Sequence, residues 1–385
     1  MPKIGKKVQL LLSQNQIKMS KGIILFYDDD STFSEQFKSL YEDSGFEIIC
    51  FDNIMKLRNA FKDQNLMFNS KALIFDLAQS KTEEENGKDF EILDDIQEKF
   101  NNYRIPIFIH SAFSLHIDHF KNCGTVWKIE KSGNSLEKII GIIKCLDESG
   151  FLDAFTPNGI IEQNLMSELH KSFTEQFREG EIEKIISQIK NSNPKGFKER
   201  SINVFKRTAV KSLMSELLTP VFSDGKKMNP IEHYYRRISK VDYWTGDILK
   251  RKDNSKHILI LTPRCNVASK KYDYLLACEV LIGEFPKVIV NRKERDKIQY
   301  ALTDNPEFSG YNRYIPPSPL FAGGKIVLSN YLMISKIELS ESYEIQISLS
   351  DELTNEIIGK FGAYFFRTGI TPWEQIEVIE SIKEK

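Results

Sequence analysis

The strongest constraint on this chain is an alternation in its first 150 residues. Short, mostly apolar runs of strand length are separated by stretches with helical apolar spacing. The runs are Ile23–Tyr27, Phe46–Phe51, Ala72–Phe75, Ile105–Ile109 and Thr125–Ile129. Between them, Phe33, Phe37, Leu40 and Tyr41 share one helical face; Ile54, Leu57 and Phe61 share another, and Phe90, Leu93, Ile96 and Phe100 a third. A short helix is predicted near Leu115–Phe120, and Leu136, Ile139, Ile140 and Ile143 end the series. Strands apolar on both sides need cover on both faces, which amphipathic crossover helices supply. Residues 21–147 are therefore predicted to be an α/β domain with a doubly wound, five-stranded parallel sheet. Ser31 is placed to cap its first helix, and residues 1–20 read as a tail or loosely docked arm.

The pattern then changes. Ile160, Ile161, Leu165, Leu169, Phe173 and Phe177 recur at helical spacing, followed by Ile182, Ile185, Ile186 and Ile189. Asn193-Pro194 interrupts before Phe205, Ala209, Leu213 and Leu217 resume, so 158–218 is predicted to be a linker of two or three helices. Residues 219–385 read as a β-rich, mixed α+β domain. Its predicted strands are Ile258–Leu261, Tyr274–Leu281, Lys287–Val290, Lys325–Leu328 and Glu344–Ser348, and its closing helix is Asp351–Phe366. The stretch from Asp242 to Val280, opening with Trp244-Thr245-Gly246-Asp247-Ile248, resembles the first strands of a small SH3-like barrel, an architecture shared by many unrelated functions.

Charge removes several function classes. Lys plus Arg number 53 against 54 Asp plus Glu, so bulk attraction to nucleic acid or anionic lipid is not expected. Basic residues do cluster in Lys195–Lys211, at Arg236-Arg237 and in Lys250–Lys252, beside Phe197, Phe205, Tyr234 and Tyr235. No helix-turn-helix or zinc-finger spacing accompanies them, so nucleic acid is not the favoured partner. No apolar run approaches the ~18 residues of a membrane span. Cys50, Cys123, Cys145, Cys265 and Cys278 show no paired spacing, which predicts free thiols and a cytoplasmic setting.

The chemistry lies at the strand ends. In parallel α/β sheets, ligands bind beyond the carboxyl ends of the strands. Asp28 and Asp29 follow the first run, Asp76 the third, Ser111 the fourth and Lys131 the fifth. Carboxylates gathered at one edge repel one another unless a cation sits among them, and hard oxygen donors suit Mg²⁺. With the metal in place, Asp76 is a candidate nucleophile toward a phosphoryl group, and Ser111 and Lys131 are candidate ligands for the phosphoryl oxygens.

These landmarks stand in FYDDD, LIFDLA, FIHSA and IEKSGNSLEKI, spaced by 47, 35 and 20 residues, and in this respect residues 21–147 resemble the receiver domain of two-component response regulators. The resemblance implies a phosphoacceptor at Asp76, Mg²⁺ bound by Asp28, Asp29, Asp76 and the backbone carbonyl of Ala78, and a separate kinase as phosphodonor. It also implies an output controlled through the helical segment, which is a candidate homodimer contact. Three departures stand out. Ser132 replaces the usual proline after the lysine, and Lys128 occupies the aromatic switch position, with Trp127 one step away on the opposite strand face. Glu83-Glu84-Glu85 adds negative charge after Asp76. Lys128 is also a rival to Lys131 for the lysine role.

Two alternatives come from other classes. One is a receiver-gated hydrolase or nuclease, with Cys265 as nucleophile beside Arg264 and His257 or His233 as base. The other is a degenerate receiver that serves only as a docking module. Nothing in the chain matches a nucleotide-binding GxxxxGK[ST] loop or a kinase signature.

Overall fold

A computed structural model describes residues 21–41, 44–77, 104–112, 124–175, 177–223, 228–237, 242–285 and 312–366, with a few further positions near the C-terminus. The chain divides into two compact units, Met1–Pro220 and Val221–Lys385.

The first unit opens with β1 (Ile23–Tyr27), α1 (Ser31–Tyr41), β2 (Glu47–Phe51), α2 (Ile54–Ala60), α3 (Gln64–Asn69) and β3 (Ser70–Leu77). Then come β4 (Ile107–Ser111), β5 (Val126–Glu130) and α4 (Ser135–Glu148). The five strands are parallel, in the order β2-β1-β3-β4-β5. Alternation along each strand builds two cores. Leu25, Leu73, Phe75 and Ile109 pack with Leu57 of α2 and Met67 of α3. Ile24, Phe26, Ile74, Phe108 and Ile129 pack on the other face with Phe37 of α1 and with Ile139, Ile140 and Ile143 of α4. This two-sided cover is why the strands are apolar throughout.

Local details correct the sequence reading. Asp30, not Ser31, caps α1: its Oδ1 accepts from Thr32 N at 2.9 Å and Phe33 N at 3.4 Å. Strand β4 does not stop at Ile109 but continues through His110 and Ser111, because the ladders to β3 and β5 continue there and Ser135 Oγ, 2.7 Å from His110 Nε2, supplies a buried polar partner. Helix α3, capped by Asp63, was not foreseen. The predicted helices at Phe90–Phe100 and Leu115–Phe120 lie outside the described residues.

The helical segment comprises α5 (Phe151–Phe155), α6 (Ile160–Glu175), α7 (Glu181–Ser192) and α8 (Phe197–Ser223). Its beginning is fastened to the lower end of the sheet. Lys71, near the start of β3, donates to Thr156 Oγ1 at 2.8 Å, and Arg104, ahead of β4, donates to Phe155 O at 2.9 Å and pairs with Glu162. Ile161, Leu165, Leu169 and Phe173, four residues apart along α6, are exposed.

In the second unit, β6 (Tyr234–Tyr235), β7 (Asp247–Arg251), β8 (His257–Ile260), β9 (Tyr274–Ile282), β10 (Asn312–Ile315), β11 (Gly324–Ser335) and β12 (Tyr343–Leu349) form one antiparallel sheet. The strand order is β10-β11-β9-β8-β7-β12-β6. Short helices α9 (Arg264–Ala268) and α10 (Lys336–Ser342) punctuate it, and α11 (Asp351–Phe365) lays Leu353, Ile357 and Phe361 on one face. The sheet curls, so that Tyr234 at one edge donates its hydroxyl to Pro316 O beyond the other edge at 2.5 Å. Among the described strands no ladder joins β6 to β10, and the described sheet has seven strands. Gly246 is required at the turn into β7: its φ is +93°, and a Cβ there would stand 2.4 Å from Thr354 Oγ1. The predicted strand Lys287–Val290 lies outside the described residues.

Candidate functional site

The sheet order reverses between β1 and β3, and in such sheets the crevice beyond the carboxyl ends at that point is where ligands bind. Asp28 follows β1, and Asp76 is the penultimate residue of β3. One carboxylate oxygen from each of Asp28, Asp29 and Asp76 lies within 4.8 Å of the others. Asp28 and Asp76 are each 2% exposed, whereas Asp29 is exposed. The third acid of the run, Asp30, is taken up by capping, and its own N–H donates to Asp28 Oδ1 at 2.9 Å.

Lys131, just beyond β5, reaches into the crevice and places Nζ 2.7 Å from Asp76 Oδ2. Its backbone N–H donates to Ser111 O at 2.7 Å, which ties the lysine to the end of β4. Lys128, the rival, sits within β5 opposite Ile109, so the lysine at the carboxylate is Lys131. Ser111 is fully buried on β4, in register with Leu77. Ala78 lies outside the described residues. Trp127 stacks on Phe108 at 4.9 Å, so it is part of the sheet packing.

Burial pushes the Asp76 carboxyl up to about 7, with Asp28 adding to the rise and the bond from Lys131 opposing it. Burial also raises Asp28, against the pull of the Asp30 N–H and Lys131. Two carboxylate oxygens, Asp28 Oδ2 and Asp76 Oδ1, are buried with no hydrogen-bond partner. Buried polar atoms are rarely left so. An all-oxygen set of three acids with two orphaned oxygens fits a hard divalent cation such as Mg²⁺.

Three neighbours escaped the sequence reading. Phe33, read only as core, lies 5.9 Å from Lys131 Nζ and stacks on the His110 ring at 6.4 Å. His110 is held neutral, since burial, aided by Lys131, lowers it to about 4. Ser135 locks the turn after Lys131, accepting from Ser132 N at 3.2 Å and donating to Ser132 O at 2.8 Å. The one available signal was His110 itself, a polar residue ending an apolar run.

The second candidate site does not assemble. His257 opens β8, while Cys265 lies in α9 past the other end of that strand with its Sγ on Asn266 Oδ1 at 3.5 Å, so no Cys–His pair is shown. Arg264 is committed to a bidentate pair with Asp351 at 2.7 and 2.8 Å, and His233 Nδ1 faces Ser350 Oγ at 3.3 Å. The basic residues are partly spent as well. Arg237 pairs with buried Asp247 at 2.9 Å, and Lys252 Nζ donates to Glu341 O.

No family model matches the chain, and no curated protein matches it. Solved structures do match its N-terminal third. They include the response regulator TrrA from Thermotoga maritima in complex with Mg(2+)-BeF, 19% identical over 32% of this chain and 98% of that one, with a TM-score of 0.26. A response regulator receiver protein from Sinorhizobium medicae is 19% identical over 33% and 94% of the two chains, with a TM-score of 0.26. The phosphorylated cyanobacterial phytochrome response regulator RcpA is 20% identical over 33% and 91%, with a TM-score of 0.25. The all-parallel strand order β2-β1-β3-β4-β5 shows the fold by itself: the N-terminal domain has the flavodoxin-like, doubly wound arrangement of a receiver fold. Among the described residues, no helix of this receiver-fold domain or of the rest of the chain is long and apolar enough to cross a membrane.

Proposed function

We propose that the receiver-fold domain is a phosphorylation switch, with Asp76 as phosphoacceptor. The observation that carries this is the state of the Asp76 carboxylate: buried, with Oδ2 on Lys131 Nζ at 2.7 Å and Oδ1 unpartnered beside Asp28 and Asp29. Asp28, Asp29 and Asp76 are the residues that would hold Mg²⁺, which when bound would neutralise the acids and draw charge from phosphoryl oxygens. Asp76 Oδ1 attacks the phosphorus of a donor presented by a separate kinase. The phosphorus–donor bond breaks, the donor keeps that electron pair, and an acyl phosphate remains on Asp76. Lys131 and Ser111 receive the phosphoryl oxygens.

The new group brings a charge near −2 to a crevice whose walls are β1, β3 and the Lys131 turn. Repositioning Ser111 and Lys131 shifts the ends of β4 and β5, and with them α4 and the helices that follow. The exposed Ile161–Leu165–Leu169–Phe173 stripe on α6 supports a second copy of this chain as the contact through which the state is passed on. The second unit is the output.

The test is incubation of the full chain with acetyl phosphate and Mg²⁺, read by intact mass. A gain of one phosphoryl group is expected in the native protein and none in Asp76→Asn. No gain in the native protein leaves the domain a docking module.

A further inference from the structure

We infer that His110 is the positioning residue for Lys131: its imidazole, bonded to Ser135, fixes the turn that brings the ammonium to Asp76. The inference deepens the phosphoacceptor reading of that crevice and rests on it for its catalytic consequence.

Lys131 carries its charge on a flexible four-carbon stem, so its aim depends on how the backbone beneath it is held. That backbone is a turn, Lys131 to Ser135, running from the end of β5 into α4. It contains Gly133, the residue type that restrains a chain least, and Ser132 in place of the rigid proline usual in receiver domains. Among the described residues Asn134 makes no side-chain cap on α4 either. Local chemistry therefore leaves the turn slack, and its restraint comes from β4.

The end of β4 grips the turn at both ends. Ser111 O accepts from Lys131 N at 2.7 Å, and one residue earlier His110 Nε2 lies 2.7 Å from Ser135 Oγ. Ser135 Oγ also accepts from Ser132 N at 3.2 Å, a donor that a proline would lack, and donates to Ser132 O at 2.8 Å. His110 is 1% exposed and Ser135 3%, so the link is sheltered from water. Phe33 flanks it, with its ring 6.4 Å from the imidazole and 5.9 Å from Lys131 Nζ.

Proton counting fixes the direction of the bond. Ser135 Oγ has one hydrogen, and Ser132 O, which can only accept, takes it. The imidazole then gives its hydrogen from Nε2. Its Nδ1, buried with no partner among the described residues, is left as a bare acceptor. The opposite tautomer would bury an unpaired N–H, which is the rarer defect. With Nε2–H committed to Ser135, the end of β4, the Lys131 turn and the start of α4 are one piece, and Lys131 stays within reach of a group on Asp76.

Three measurements on the full chain test this. Imidazole ¹⁵N shifts of the native protein are expected to show His110 protonated on Nε2; a proton on Nδ1 instead overturns the proposal. Trace acetylation of lysines with acetic anhydride in EDTA, read by mass at Lys131, is expected to run about five-fold faster in His110→Phe and in Ser135→Ala. The double variant should be no faster than either, because both break one link. His110→Gln, whose amide offers a donor in place of Nε2, should stay near the native rate. Equal rates throughout overturn the proposal, as does His110→Gln labelling as fast as His110→Phe. Phosphoryl uptake from acetyl phosphate and Mg²⁺ should slow in His110→Phe and Ser135→Ala and recover in His110→Gln; uptake unchanged in the first two overturns the catalytic consequence. The labelling pattern in a native protein that takes up no phosphoryl group upholds the positioning of Lys131 and overturns the phosphoacceptor reading instead.

Discussion

Lys131 Nζ and Asp76 Oδ2, 55 residues apart in sequence, stand 2.7 Å apart at the end of the sheet, the carboxylate 3% exposed and the lysine 34%. That one contact holds a buried acid in place while its other oxygen stays free of hydrogen bonds.

Because burial raises Asp76 to about 7 against the pull of Lys131, the two neighbours have opposite effects on its titration. Without metal, Lys131→Met raises the Asp76 pKa further, and Asp28→Asn lowers it. Carboxyl ¹³C shifts followed against pH in EDTA check both directions.

A folded-state pKa raised from 3.8 to about 7 makes Asp76 a destabilising group at neutral pH. The folded state holds the proton more tightly than the unfolded chain, so stability falls as pH rises from about 4 through 7. In EDTA at pH 8, Asp76→Asn is expected to be more stable than the native protein by about 2–4 kcal/mol, with little difference below pH ~4. Denaturation of the first unit at both pH values measures this. The His110 contribution is common to both proteins and cancels.

On the proposed reading, Mg²⁺ and the proton would compete for the same oxygens. Binding at pH 7 therefore releases protons, and the heat in a calorimeter should vary with the ionisation enthalpy of the buffer. Asp28→Asn weakens binding by about ten-fold or more, and exposed Asp29→Asn weakens it less. Equal heats in phosphate-free buffers of different ionisation enthalpy would count against a site at Asp76.

His110, lowered to about 4 from 6.5, works in the other direction. The unfolded chain takes up the proton first, so this residue's contribution is complete above pH 6.5 and is lost as pH falls toward 4. Its imidazole resonances should not titrate above pH ~5. Ser135→Ala removes the Nε2 partner and should cost about 1–3 kcal/mol.

In the second unit, Asp247 is fully buried and accepts from Arg237, Trp244 N and Ser348 Oγ at 2.9, 2.7 and 2.7 Å. Asp247→Ala leaves the guanidinium without its counter-charge and should destabilise this unit by about 3–5 kcal/mol. Thermal unfolding followed by the near-ultraviolet signal of Trp244 reads it.

Much of the receiver fold was legible because β1, β3 and β4 are covered on both faces, which leaves an apolar run that text alone displays. The acids were legible because strand ends are where such sheets place polar side chains. The capping role of Asp30 was less so: three consecutive aspartates look alike, and only the backbone path turns one toward Thr32 N and another into the crevice. His110 and Phe33 were missed because a polar residue closing a strand and an aromatic on a helix face each have a commoner reading. The Cys265–His257 pairing failed because the strand predicted at Ile258–Leu261 carries the chain away from His257 before Cys265 is reached.

Local patterning thus determined the five parallel strands, the main amphipathic helices and the order of chemical groups along the sheet's upper end. The tertiary structure alone decided which lysine reaches Asp76 and which carboxylate oxygens remain unpaired. Alternation is a property of neighbouring residues and is written locally. Desolvation and charge pairing depend on groups that meet only when β1, β3 and β5 lie in one sheet.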